Sequence, residues 1–348
     1  MANVTKHTDC TRQESDLKMK EKILITGANG FIGTFLVKEA LNRNLEVYAA
    51  VRKNSNIQAL QDFGCNILQI DYNNLLELSD LLKKYQFEFI IHNAGLTKSP
   101  DPSELMRVNK GLLVALTDAI RLSQTRIKKL TFVSSIASYG PADNIPDGII
   151  RDTSKPNPVT HYGVSKLGAE NHLKGLNDIP FIIIRPTAVY GPGEKDLLNV
   201  FKMVNKYIDI QPGLMSHKLT FIYVKDLANL IISATISEKV NKGYFATDGN
   251  VYTSEAFSGF IKENLKKRAL KVRIPIFILK GLAFMTEKMA GLWDSYPIFN
   301  VDKVNELKAK NWNCDVSNLY PDLGFKAAYD LTKGIPETIN WYKENRWL

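Results

Sequence analysis

The chain has 348 residues, is 45% hydrophobic and 23% charged, and carries a formal net charge of +9. Those values belong to a protein with ample material for a core, in one large domain or two unequal ones. The positive charge is spread along the length without aromatics interleaved, which argues against a nucleic-acid partner, and no apolar run approaches the ~18 residues of a transmembrane segment.

Cys10, Cys65 and Cys314 are far apart and odd in number. They read as free thiols in a reducing compartment, so a cytoplasmic location is expected. Residues 1–20 are polar and charged with no apolar core, and read as a disordered tail rather than a signal peptide.

The stretch 22–33, KILITGANGFIG, opens the ordered chain. A short apolar strand stops at Gly27 and a helical pattern begins near Phe31. Gly27, Gly30 and Gly33 occupy the turn, one residue looser than the commoner G-x-G-x-x-G. Such a turn can lay a dinucleotide pyrophosphate against a helix N-terminus. Asn29, Phe31 and Ile32 fill the spaces between the glycines and complete the expected cofactor cradle.

A second strand is expected over 45–51, followed at once by Arg52 and Lys53. Folds that prefer NAD usually carry an acid there for the ribose hydroxyl, whereas a basic residue suits the 2′-phosphate. NADP is therefore the expected cofactor, with NAD the alternative. The third strand (66–70) ends at Asp71 and Tyr72, with Asp71 a candidate for the adenine amino group or for a helix cap.

The fourth strand (87–91) runs into His92, Asn93, Ala94 and Gly95, small enough for the chain to pass beside a cofactor. A helix from about 103 to 123 carries Asn109, counted with the cofactor-side residues. The fifth strand ends in Ser134 and Ser135, and residues 141–158 read as a long loop over the site. Tyr162 and Lys166 stand four apart at the start of the next helix, so they share a face. An ammonium beside a phenol favours the phenolate and suits acid–base work.

A sixth strand (180–184) delivers RPTAVYGPG, KLTFIYV at 218–224 reads as one alternating strand, and a helix follows from Lys225 to Ala234. A short strand at 244–247 precedes a mostly helical remainder. The apolar segment 275–293 reads as packing, with a substrate lid or membrane-surface contact as alternatives.

GANGFIG, HNAG, SSIASYG, YGVSK, RPTAVYGPG and FIYVKDLA, in this order and spacing, resemble the extended short-chain dehydrogenases/reductases, the NAD(P)-dependent epimerase/dehydratase family. The resemblance covers roughly residues 20–345. It implies an α/β fold, a doubly wound Rossmann sheet over 21–185, and a smaller, mostly helical substrate subdomain over 186–348 interleaved with late Rossmann elements (219–238). Ser135 would hydrogen-bond the substrate oxygen, Tyr162 would be the acid/base, and Lys166 would hold the nicotinamide ribose and lower the Tyr162 pKa. Pro186, Thr187 and Val189 would line the nicotinamide. A small-molecule substrate and a homodimer are also implied.

Within that family, nucleotide-sugar members usually carry Asn where this chain has Ala188 and Arg where it has Leu219, although Lys218 could substitute. RPTAVYG and VYAAVRK look like the dihydroflavonol reductase and 3β-hydroxysteroid dehydrogenase branches. Ile136 and Ala137 after Ser135 depart from the Asp-Glu of dehydratases. The expected activity is hydride transfer with an apolar secondary alcohol or ketone. A nucleotide-sugar 4-epimerase is the alternative, and a silent dinucleotide-binding protein a third reading.

Overall fold

The computed structural model describes residues 20–290 and 301–348. The expected tail (1–19), Cys10 and residues 291–293 of the apolar segment lie outside the described residues.

Among the described residues, seven strands form one parallel sheet. Strands β1 (Lys22–Thr26), β2 (Glu46–Val51), β3 (Asn66–Gln69), β4 (Phe89–His92), β5 (Lys129–Val133) and β6 (Phe181–Pro186) are joined through helices on both faces. The helices are α1 (Phe31–Asn42), α2 (Gln58–Gln61), α3 (Leu75–Tyr85), α4 (Pro102–Met106), α5 (Leu112–Ser123) and α6 (His161–Lys174). A seventh strand, Lys242–Ala246, lies outside β6, and the order runs from it through β6, β5, β4, β1 and β2 to β3.

The central strands are apolar on both faces because helices cover both. Ile23 and Ile25 face the layer of α1 and the helix Val224–Ile236. Leu24 and Ile90 face the layer of α3, α5 and α6. The order reverses at β1, between β2 and β4, which is where ligands of such sheets bind. This is the Rossmann-like fold expected.

Two expectations about regular elements are corrected. The run 218–224 is not one strand: Lys218–Leu219 pairs antiparallel with Tyr252–Thr253, and Phe221–Tyr223 pairs parallel with Ala188–Tyr190. Thr220 is the break, donating its hydroxyl to Trp312 O (2.8 Å), and the helix that follows starts one residue earlier, at Val224. The helix 103–123 is interrupted by a π-turn at Arg107–Gly111, which holds the buried Asn109. The loop 141–158 is tied down at several points: Ala142 N donates to Asn311 O, Ile150 N to Asn313 O, and Asp315 N to Ile150 O.

The C-terminal part gathers Leu198–Asn205, Ser254–Leu265 and Leu331–Glu344 around Phe201, Phe257 and Tyr342. Besides these helices it holds a strand pair, Ile208–Pro212 with Leu270–Ile274, that the expected mostly helical remainder did not include.

Candidate active site

The turn after β1 has the geometry its sequence foretells. Gly27 sits at φ +64°, and a Cβ there would meet the Ala94 backbone at 2.9 Å. A Cβ on Gly33 would lie 2.1 Å from Gly27 O, so only glycine lets α1 close on the turn. Gly30 begins α1, and no side chain among the described residues caps it. The first N–H groups of the helix are thus left for an anion. An uncapped helix behind a glycine cradle fits the pyrophosphate of a dinucleotide.

Thr26 ties this turn to the end of β4. Its Oγ1 accepts from Asn93 N (3.2 Å) and Ala94 N (3.1 Å) and meets His92 Nδ1 at 3.1 Å. Asn93 Nδ2 donates to Gly27 O at 3.3 Å. Thr26 Oγ1 thus gathers two amides and the His92 ring nitrogen at one point. Burial, helped by the charge of Lys166, pushes His92 down to about 3, so it stays neutral.

Asn109 reaches the same loop from the π-turn. Its Oδ1 accepts from Leu96 N (2.8 Å), and its Nδ2 donates to Leu96 O (2.9 Å) and Ser165 Oγ (2.8 Å). Gly95 lies between Asn109 and Lys166: a Cβ on it would stand 2.8 Å from Asn109 Oδ1 and 3.3 Å from Lys166 Nζ.

Helix α6 starts at Thr160, whose Oγ1 accepts from Gly163 N (3.0 Å). A Cβ on Gly163 would stand 2.2 Å from Ala137 O, so the helix presses onto the turn after Ser135. Ser135 caps that turn, accepting from Ala137 N at 3.2 Å. Tyr162, Ser135 and Lys166 therefore meet beyond the end of β5.

Their electrostatics differ from expectation. Burial pushes the Tyr162 phenol up to about 12, while contact with Ser135 pulls the other way. Lys166 does not lower it here: its ammonium donates to Val133 O (2.8 Å) and stands 6.0 Å from the Tyr162 ring centre. Burial in turn brings Lys166 down to about 8.

The remaining cofactor candidates spread along the edge of the sheet. Arg52 and Lys53 are exposed after β2, and neither has an ion pair among the described residues. Asn29 Nδ2 donates to Asn56 O at 3.4 Å, and Phe31 packs edge-on against Phe35. Ile32 packs into the layer under α1. Asp71 accepts from Asn73 N (2.9 Å), while Asn74 is the residue that caps α3. Tyr72 packs edge-on to His92, its hydroxyl buried without a partner among the described residues. Pro186 ends β6, Thr187 Oγ1 donates to Ala246 O (3.1 Å), and Val189 packs against the α1-side core.

Two clusters escaped the sequence. Glu170, four residues after Lys166, is fully buried and accepts from Ser134 Oγ (2.6 Å), Ser138 Oγ (2.7 Å) and both Nε (3.0 Å) and Nη2 (2.9 Å) of buried Arg185. Arg185 Nη1 goes on to Asp152 (2.8 Å), and its guanidinium stacks 4.6 Å from the Tyr139 ring centre. Glu170 thereby ties down Ser134 and Ser138, on either side of Ser135 in the chain. The second cluster is on Val301–Lys308: Asp302 accepts from His161 N at 2.9 Å, and Glu306 raises Tyr162 further. The i, i+4 spacing from Lys166 to Glu170 was a usable signal for the first; nothing local marks the second.

Residues 23–244 match the model of the NAD dependent epimerase/dehydratase family. Ceramide reductase of Caulobacter vibrioides is 23% identical over 94% of this chain and 96% of its own length. UDP-glucose 4-epimerase of Vibrio cholerae is 27% identical over 93% and 96%. The solved UDP-glucuronic acid 4-epimerase of Bacillus cereus in complex with NAD superposes with a TM-score of 0.74 at 20% identity, covering 93% of this chain and 99% of that one. The chain belongs to the NAD dependent epimerase/dehydratase family and is an enzyme of the extended short-chain dehydrogenase/reductase type.

Proposed function

We propose that the enzyme transfers hydride between a nicotinamide dinucleotide and an apolar secondary alcohol or ketone. The observation that carries this reading is the meeting of Tyr162, Ser135 and Lys166 beside the glycine turn, with Gly95 touching the space between Asn109 and Lys166. The bound nicotinamide supplies or accepts the hydride. In the reducing direction Tyr162 gives its proton to the carbonyl oxygen as the carbon gains hydride. A phenol held near 12 is fully protonated at neutral pH and ready to do so. Ser135 gives the same oxygen a second hydrogen bond. Lys166 would hold the nicotinamide ribose, and Pro186, Thr187 and Val189 would border the nicotinamide.

Arg52 favours NADP, because its exposed guanidinium has no ion pair among the described residues and suits a 2′-phosphate. NAD, which the family description names, is the alternative.

An apolar substrate is supported from two sides. Ala188 is exposed and Leu219 is aliphatic where sugar-diphosphate contacts are expected. The apolar helix Ile276–Ala290 packs through Leu279 and Ala283 on Val304 of the helix Val301–Lys308, whose Asp302 accepts from His161 N beside Tyr162. A relative named ceramide reductase fits this reading. The second reading, a nucleotide-sugar 4-epimerase, is favoured by the relatives that bear that name. A cytoplasmic homodimer would take Met106 and Leu122, exposed on α4 and α5, out of water.

A panel of long-chain ketones and UDP-sugars, followed by NADPH and NADH absorbance and by sugar analysis, tests the assignment. Cofactor should be consumed with the ketones alone. Interconversion of UDP-sugars without added cofactor would replace this reading by the epimerase one.

A further inference from the structure

The strand pair Ile208–Pro212 with Leu270–Ile274 is built inside out. Asp209 and Gln211 point inward and are buried, while Ile208 (38%), Ile210 (40%), Leu270 (72%) and Val272 (37%) stay exposed. Leu270 lies opposite Ile208 and Val272 opposite Ile210, so the four form one aliphatic face. The inward polar groups fix this register. Asp209 accepts from Gln211 Nε2 (2.6 Å), Ser258 Oγ (3.0 Å) and Lys262 Nζ (2.8 Å). A one-residue slip would bury the aliphatic face at the expense of that network, and the network prevails.

The face continues onto the next helix. Ile276 lies against Gly213, and Leu279 and Ala283 seat Ile276–Ala290 on Val304. Its outer side carries Phe277 (75%), Leu282 (46%) and Met285 (59%) in water. Contiguous exposed apolar surface of this kind marks an interaction site.

The surrounding charge tells which partner fits. Between residues 266 and 280 there are six Lys or Arg and no Asp or Glu. Arg273 pairs with Glu255, Lys267 donates to Tyr207 and Lys271 lies opposite Asp209 on the other face, but Lys266, Arg268 and Lys280 are exposed without an ion pair among the described residues. A charge that reads as diffuse along the sequence is concentrated here. Apolar side chains ringed by cations match an anionic lipid surface, where the chains enter the acyl boundary and the cations meet phosphates. A second copy of this face would set cation against cation.

We propose that this face docks the enzyme on an anionic bilayer. The inference stands independently of the reaction catalysed. Full-length protein is sedimented with vesicles of phosphatidylcholine, alone or mixed with phosphatidylglycerol. Binding should require phosphatidylglycerol, weaken with salt, and fall at least about tenfold in Arg268→Glu/Lys280→Glu and in Leu270→Ser/Phe277→Ser. Those positions are exposed, so melting temperatures should match the parent, and Tyr162→Phe should bind as the parent does. No vesicle binding, or binding indifferent to lipid charge and to both double variants, would overturn the proposal. So would a vesicle-free dimer in analytical ultracentrifugation that Leu270→Ser/Phe277→Ser dissolves, since that assigns the face to self-association.

Discussion

The parallel sheet and the strand pair at 208–212 and 270–274 obey opposite rules. In β4 and β5 every residue is buried, and the polar ones find partners inside: Thr131 bonds Thr235 at 2.8 Å. In the strand pair the aliphatic residues face water and the carboxylate is inside. The sheet is a core element, whose side chains answer to packing. The strand pair is a surface element, and its outward side chains are left for something other than the fold.

That contrast can be broken in order of expected effect. Glu170→Gln leaves Arg185 buried beside a neutral amide. Breaking such a pair costs about 3–5 kcal/mol, read as a lower urea midpoint. Leu270→Ser, on the other side of the comparison, should change stability by no more than about 0.5 kcal/mol. Comparable losses in the two variants would dissolve the distinction.

Next comes Arg52→Ala, which should weaken NADP binding by one to two decades, about 1.5–3 kcal/mol, and leave NAD nearly unchanged. Isothermal titration with both cofactors measures it, and equal losses would remove Arg52 from the phosphate site.

Two glycines give the smallest and sharpest pair. Gly33→Ala sets a methyl 2.1 Å from a backbone oxygen that cannot retreat, and should lose ~1–3 kcal/mol together with cofactor affinity. Gly281→Ala, in the apolar helix, has no atom within 4 Å of the new methyl and should gain ~0.5–1 kcal/mol from helix propensity. Differential scanning calorimetry should show melting points moving in opposite directions.

The same contrast explains what was legible in the sequence. Features whose cause is local were readable: the glycine spacing, the apolar runs of β1 and β4, and the one-turn spacing of Tyr162 and Lys166. Features whose cause is a distant partner were not. Thr220 breaks an alternating run because Trp312 takes its hydroxyl. Arg107–Gly111 widens into a π-turn where Asn109 reaches Leu96 and Ser165. Glu170 and Arg185 are ordinary charges until the fold buries them together. The proximity of Tyr162 to Lys166 was legible, but the shift of the phenol was not, because it depends on burial rather than spacing.

The central claim is that the Tyr162 phenol moves the proton while hydride moves. Tyr162→Phe keeps the ring and removes only that proton, so single-turnover rates with the best ketone of the panel, beside cofactor affinity, test it most directly. The rate should fall by about 10²–10⁴-fold with the cofactor Kd unchanged; a Phe variant turning over at nearly the parent rate would contradict proton transfer by Tyr162.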